Sequence, residues 1–303
     1  MGFRLCGTLP HHHYLSATDA GYRASRARIE AAALLEAKPR STPVTIPVVI
    51  HVLWHEEADN LPDAQLLSQI AVLNEDFRLR NADREAIPEA FRPEAADALV
   101  EFTLARRDPR GRATTGITRT RTPHAEFGYD GTAQATARLD ELIKTGEHGV
   151  AAWPREHYLN LWVCPLGGGL LGYAQFPGGP AATDGVVIRS SAFGRIGALS
   201  ADYDLGRTCT HEVGHWLDLL HIWGDDGQSC NGSDAVADTP NQAGANLGRP
   251  HFPHASCGNA PDGDMFMDYM DYVDDAAMFM FTHGQAARMN ATLAGPRKKL
   301  AGL

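Results

Sequence analysis

The stretch His211-Glu212-Val213-Gly214-His215-Trp216-Leu217-Asp218-Leu219-Leu220-His221 constrains the fold more than any other part of the chain. On a helix of 3.6 residues per turn, His211 and His215 share one face, a turn apart. Glu212 stands beside them. His221 lies too far beyond His215 to join the pair if the helix simply continued. The chain must therefore turn near Asp218 and bring that imidazole back. Such a turn calls for a residue at positive φ. Glycine adopts that region without strain, and Asp and Asn are the next most tolerant residues. Three neutral imidazoles at this spacing suit zinc and leave its fourth position open, the mark of a catalytic rather than a structural site. Glu212 is then the general base for a water that the metal acidifies towards ~7. A bare H-E-x-x-H arises by chance in surface helices, but a third His at the right offset makes a set of merely solvated histidines a weak reading.

Length and charge narrow the class. A chain of 303 residues can bury a sizeable core in one or two subdomains. No apolar run reaches the length of a membrane span. The net charge of −10 disfavours nucleic acid as a partner. The acid is concentrated: residues 225–275 hold ten Asp and no Glu, with Arg249 as the sole Lys or Arg. Asp interleaved with Gly, Asn and Ser suits oxygen-ligand loops for a divalent cation; a solvated acidic surface is the plainer alternative. The first ten residues lack a basic-then-apolar signal sequence. A signal already removed, or another export route, is expected.

Residues 1–40 read as a leader. It has a helix over Ala24–Ala37 and a breaker-rich basic link, Lys38-Pro39-Arg40-Ser41-Thr42-Pro43, where proteolytic nicking is expected. Val44–Trp54 is apolar and β-branched, a buried strand, with Pro47 pointing to a place near an edge or a late start. Asp63–Phe77 carries Leu66, Ile70, Leu73 and Phe77 at helical spacing. Further strands fall at Val100–Leu104, Leu159–Cys164, Leu171–Phe176 and Val186–Ile188, and the histidine helix at Arg207–Leu220. A long aperiodic region follows to about Asp275. Thr282-His283-Gly284-Gln285 is a capping box that opens a last helix. His11-His12-His13 reads as exposed leader, since the complete zinc set lies elsewhere. Cys164 and Cys209, among apolar residues, read as buried free thiols.

The zinc motif followed by Ile222-Trp223-Gly224-Asp225 resembles the metzincins. Within them the chain is similar to the pappalysin group of secreted metallopeptidases (M43, ulilysin-like and cytophagalysin-like). Met270-Asp271-Tyr272 with Asp274-Asp275 resembles the family's Met-turn. Phe281-Thr282-His283-Gly284-Gln285 resembles the helix after it. Leu171-Gly172-Tyr173-Ala174-Gln175-Phe176-Pro177 resembles the cleft-lining edge strand, and Cys6-Gly7-Thr8 the leader motif. A second Met-Asp-Tyr, Met267-Asp268-Tyr269, competes for the Met-turn; counting back from Phe281-Thr282 selects Met270. The chain departs from the family at Asp218, where Gly is expected.

The resemblance implies an α/β (α+β) metzincin zincin fold. A twisted mixed sheet and the active-site helix form an upper subdomain, 41–221. An irregular lower subdomain, 222–303, holds calcium, a disulfide and a C-terminal helix. It implies a secreted, monomeric zinc endopeptidase of proteins or peptides, without nucleic-acid or membrane partners. Its zinc ligands would be His211, His215 and His221, its catalytic residues Glu212 and Tyr272, and Met270 the apolar floor. Tyr272 would stabilise the tetrahedral intermediate, unless it is simply a buried tyrosine. Asp234, the Val236 carbonyl and Thr239 would bind calcium; an Asx-turn without an ion is the alternative. Cys230 and Cys257 would form a disulfide, with a second family bridge lost at both ends, Arg249 and Ala277. Cys6 would block zinc as a cysteine switch in a zymogen. Asp274 or Asp275 would floor a pocket for a basic residue after the scissile bond. The rival function is a catalytically inactive, calcium-binding interaction module that kept the fold; an intact Glu212 argues against it.

Overall fold

The computed structural model describes residues 4–36 and 40–300. Lys38 and Pro39 of the expected link, and Ala37 at the end of the expected leader helix, lie outside the described residues. The leader holds two helices, α1 (Thr8–Thr18) and α2 (Ala20–Glu36). β1 (Val44–Trp54), α3 (Asp63–Asp76), β2 (Val100–Leu104) and β3 (Ile117–Arg121) follow. Next come α4 (Ala133–Asp140), β4 (Leu159–Cys164), β5 (Gly172–Ala174), β6 (Val186–Arg189) and α5 (Arg207–Trp216). The remainder is irregular apart from β7 (Leu247–Gly248), β8 (Tyr272–Val273) and α6 (His283–Ala294).

The main sheet runs β2-β1-β4-β6-β5, with β3 continuing beside β1 where β2 ends. β5 is the one antiparallel member of it, pairing Tyr173 with Val187. The period-two alternation of strand side chains divides the core. Ile46, Val48, Ile50, Leu161 and Val163 pack with Leu66, Leu73, Val213 and Trp216 of α3 and α5. Leu53, Trp162 and Cys164 point the other way, onto Leu139 of α4 and Ile143 just after it. α5, which carries the histidines, thus lies against one face of the sheet, next to the β5 edge.

Several expectations need correction. β1 is central, not an edge: it pairs with β2, β3 and β4. Pro47 is tolerated there because of where its nitrogen points. The amides of Val44 and Ile50 bond towards β2 and β3, so the intervening odd-numbered nitrogens face β4. Pairing with β4 starts only at Val48, so no ladder bond is lost. β5 is shorter than Leu171–Phe176, and α5 stops at Trp216, before Leu220. β3 and α4 were not foreseen. Ile117-Thr118-Arg119-Thr120-Arg121 has a single apolar residue and a half-exposed edge, so it carries no strand pattern. His11 and His12 are not exposed leader. His11 is buried on α1 with Nε2 2.8 Å from Asp140, and His12 bonds the Tyr22 hydroxyl at 2.8 Å.

Candidate active site

α5 ends in a Schellman motif. The Leu219 amide bonds the Gly214 carbonyl at 3.0 Å and the Asp218 amide bonds His215 at 2.9 Å. Asp218 takes φ 82°, as its place in the sequence requires. The reversal carries His221 back, and the three imidazoles meet. His215 Nε2 stands 3.1 Å from His211 Nε2 and 3.0 Å from His221 Nε2.

The opposite nitrogens are all committed. Nδ1 of His211 donates to the Tyr269 carbonyl at 2.7 Å, that of His215 to the Leu219 carbonyl at 2.8 Å, and that of His221 to Asp225 Oδ1 at 2.6 Å. Protons held on Nδ1 leave lone pairs on all three Nε2 atoms. Three converging lone pairs repel one another unless a cation lies between them. Burial, then the neighbouring rings, pushes His211 and His215 well below the usual imidazole range, so neither supplies that charge itself. The donor set, neutral imidazoles plus the sulfur of Cys6 with all four ligand atoms within 4.8 Å of one another, fits zinc.

Glu212 is 1% exposed beside this cluster, and burial pushes its carboxyl up to about 7. Its Oε2 accepts from Thr8 Oγ1 at 2.8 Å. Met270 lies under α5: a Cβ on Gly214 would come within 2.5 Å of its Sδ, which explains the glycine. Asp268 holds the Met270 amide at 2.7 Å and Asp271 that of Tyr272 at 2.8 Å, fixing the turn. The Tyr272 ring is 4.9 Å from His221. Burial, then Cys6, pushes its phenol well above its usual range, so it remains a donor.

The leader runs through the site. The Gly7 amide bonds the Gly172 carbonyl, and the Leu171 amide bonds Leu5, both at 2.9 Å, so the leader adds a parallel strand to the β5 edge. A Cβ on Gly7 would stand 3.1 Å from that of Tyr173, so the approach needs glycine. The Cys6 thiol faces the histidines; burial, then Glu212, pushes it well above its usual range unless a cation offsets them. Arg4 is buried and reaches Asp275 Oδ1 at 2.5 Å and the Val273 carbonyl at 3.2 Å.

The two candidate pocket acids differ. Asp275 is fully buried, and its Oδ2 caps α5 through the amides of Leu205 and Arg207 at 2.9 and 3.2 Å. Asp274 pairs instead with Arg249 at 3.2 Å. Cys230 and Cys257 are bonded, while Cys6, Cys164 and Cys209 are free and buried. Thr239 Oγ1 lies 2.8 Å from Asp234 Oδ2 and 3.1 Å from the Val236 carbonyl, and the Val236 amide donates to Asp234 Oδ1 at 3.1 Å, so these residues close the Asx-turn that was the alternative to a calcium site. The sequence reading missed Arg4 and gave no role to Thr8 or to Trp223, whose indole stacks on His221 at 4.4 Å. It also gave no role to Asp225, although four residues past His221 is the spacing of neighbours on one turn.

A family model described as Pregnancy-associated plasma protein-A, peptidase M43, matches residues 146–294. An extracellular metalloprotease of Arthroderma benhamiae is 32% identical over 81% of this chain and 76% of its own. One of Verticillium alfalfae is 40% identical over 85% and 80%. Among solved structures, a promirolysin mutant of Tannerella forsythia superposes with a TM-score of 0.89 at 46% identity, over 98% of this chain and 97% of that one. Mature mirolysin of the same organism, in complex with a cleaved peptide, gives 0.81 at 50% identity over 86% and 97%.

Proposed function

The chain belongs to the M43 peptidases, the pappalysin family of metalloproteases, and we propose that it is a zinc-dependent endopeptidase made latent by its own leader. The observation that carries this reading is the meeting of three buried imidazole lone pairs beside one buried carboxylate. Bound there by His211, His215 and His221, zinc would acidify a water and polarise a peptide carbonyl. Glu212 takes the proton of the attacking water and passes it to the departing amine. Tyr272 donates its hydroxyl proton towards the oxygen that gains charge. Met270 floors the site without acting as a ligand.

Latency follows from what the leader, residues 1–40, occupies. Cys6 stands at the zinc set, Thr8 on Glu212, and the leader strand on the β5 edge where a substrate backbone would pair. The promirolysin match spans more of this chain than the mature one by a share the size of that leader. Arg4 on Asp275 supports a pocket for a basic residue after the scissile bond, with Asp275 rather than Asp274 at its floor. Asp234, Val236 and Thr239 are assigned to calcium. The chain acts as a monomer and is secreted, and the extracellular names of its relatives support the secretion.

The test is to activate the zinc-loaded chain by limited proteolysis of its leader, incubate it with a casein-type protein, with and without chelator, and sequence the products by mass spectrometry. Chelator-sensitive cuts before Arg or Lys are expected, with leader loss between Lys38 and Thr42. No cleavage at all would favour the inactive calcium-binding module instead.

A further inference from the structure

A second cluster at the leader interface has no part in the reaction above. Arg26 of α2 is 7% exposed. Nη1 donates to Asp218 Oδ1 and to the Pro177 carbonyl, the latter at 3.4 Å. Nη2 donates to Glu30, on its own helix, at 2.5 Å. Its Cζ sits 5.0 Å from the centroid of the Phe176 ring, which meets His215 edge-on at 5.5 Å. His12 and Tyr22 of the leader lie close to it as well, but apart from Glu30 the groups that bond or face this guanidinium belong to the catalytic part of the chain. They are a carboxylate, a carbonyl and an aromatic face, the set that recognises arginine. One ring separates them from a candidate zinc ligand.

Asp218 holds the position where the resembled family has Gly. The turn needs a residue at positive φ, but it does not need a carboxylate. That carboxylate is fully buried and serves two arginines through different atoms. Arg288 Nε donates to the Asp218 carbonyl at 2.6 Å, and its Nη2 faces Oδ2 at 3.1 Å. Arg26 holds Oδ1. Arg288 Nη2 also donates to both Glu30 oxygens, at 2.7 and 2.8 Å, so withdrawal of the leader removes Arg26 and Glu30 together, leaves Arg288 paired with Asp218, and frees Oδ1 of its guanidinium. The carboxylate keeps Arg288 as a counter-ion, and Oδ1 is left as an open acceptor for a second guanidinium.

The two buried leader arginines flank the histidines. Arg4 lies at the start of α5, 3.3 Å from Thr208 Oγ1, and Arg26 lies just past its end. If the Arg4 pocket takes the residue after the scissile bond, the Arg26 compartment falls on the side before it. We propose that Asp218, with Phe176 and the Pro177 carbonyl, forms a second basic subsite, for a substrate arginine that precedes the scissile bond. Arg26 fills this subsite in the latent chain, and Asp218 is a specificity-determining residue. The proposal rests on the metalloprotease reading and on displacement of the leader.

The test uses the full zinc-loaded chain, activated by limited proteolysis of its leader. Peptides carry a fixed residue after the scissile bond and Arg, citrulline or Ala at each position before it. Citrulline keeps the shape of arginine and removes the charge. At one of those positions kcat/KM should favour Arg over citrulline about tenfold or more, as a charge-assisted guanidinium pair supplies. Asp218→Asn should bring the ratio towards one; being a ratio, it does not depend on the variant's overall activity. Should that variant not fold, Phe176→Leu should lower the ratio severalfold, and the parent's own ratio still decides. No arginine preference before the bond, or one that survives Asp218→Asn, overturns the proposal and leaves Arg26 and Asp218 as a leader clamp only. Failure to cleave any peptide would instead overturn the metalloprotease reading beneath it, and this proposal with it.

Discussion

Glu212 is the residue on which chemistry and metal binding separate. It stands beside the imidazoles without belonging to the set whose ligand atoms converge. Glu212→Gln should therefore lower kcat/KM on a peptide about 10²–10⁴-fold, the span of a lost general base, while zinc content measured on the purified variant stays that of the parent. A variant that loses its zinc as well would place Glu212 among the ligands instead. The same scale shows what a motif conveys. The spacing of His211, His215 and His221, and the tolerance of Asp218 for positive φ, follow from helix geometry and backbone sterics, and both were legible in the sequence. Which nitrogen of each imidazole carries the proton was not. That depends on the Tyr269 carbonyl, the Leu219 carbonyl and Asp225, and Tyr269 comes from a segment some sixty positions away, at a distance no local pattern encodes.

Among the elements, α1 and α2 act as one docked unit, and His12 links that docking to pH. Its ring lies between Tyr22, Phe176 and His13, with Arg26, His11 and Glu30 also in range. Burial, then the Arg26 charge, pushes it down to about 4. A histidine lowered in the docked state favours its neutral form there. The stability it lends is complete above the free-imidazole value of about 6.5 and is lost as pH falls towards about 4. Melting temperatures of the latent chain should fall more steeply over that window than those of His12→Phe, which cannot charge. Parallel curves for the two proteins would contradict this. Element types with strong periodicity, such as β1, α3 and α6, were readable. β3 was not, because alternating Thr and Arg on a half-exposed edge carry no apolar signal, and neither was the docking of α1, whose buried face is made largely of Thr8, His11 and Leu15.

In the whole molecule, the irregular segment between α5 and α6 is held by internal staples rather than by regular structure. One is the Cys230–Cys257 bridge; calcium at Asp234 is the proposed other. Burial pushes the Asp234 carboxyl up to about 6, so bound calcium must displace a proton below that pH and its affinity should decline there. At neutral pH, with zinc held constant, calcium at 100 times its Kd should stabilise the chain by about 2.7 kcal/mol. Asp234→Ala should abolish that increment in thermal unfolding. An equal calcium effect in the variant would move the ion elsewhere.

The sequence alone marked the three imidazoles and the carboxylate beside them, the disulfide pair by resemblance, and the principal helices and strands, because each is written in short-range spacing or in a motif that stays contiguous. Only the tertiary structure decided that Asp275 rather than Asp274 meets Arg4 and that Asp218 holds a leader arginine beside Phe176. Those are pairings between segments far apart in the chain, and they are fixed by how the packed sheet and helices bring side chains together, which no local pattern records.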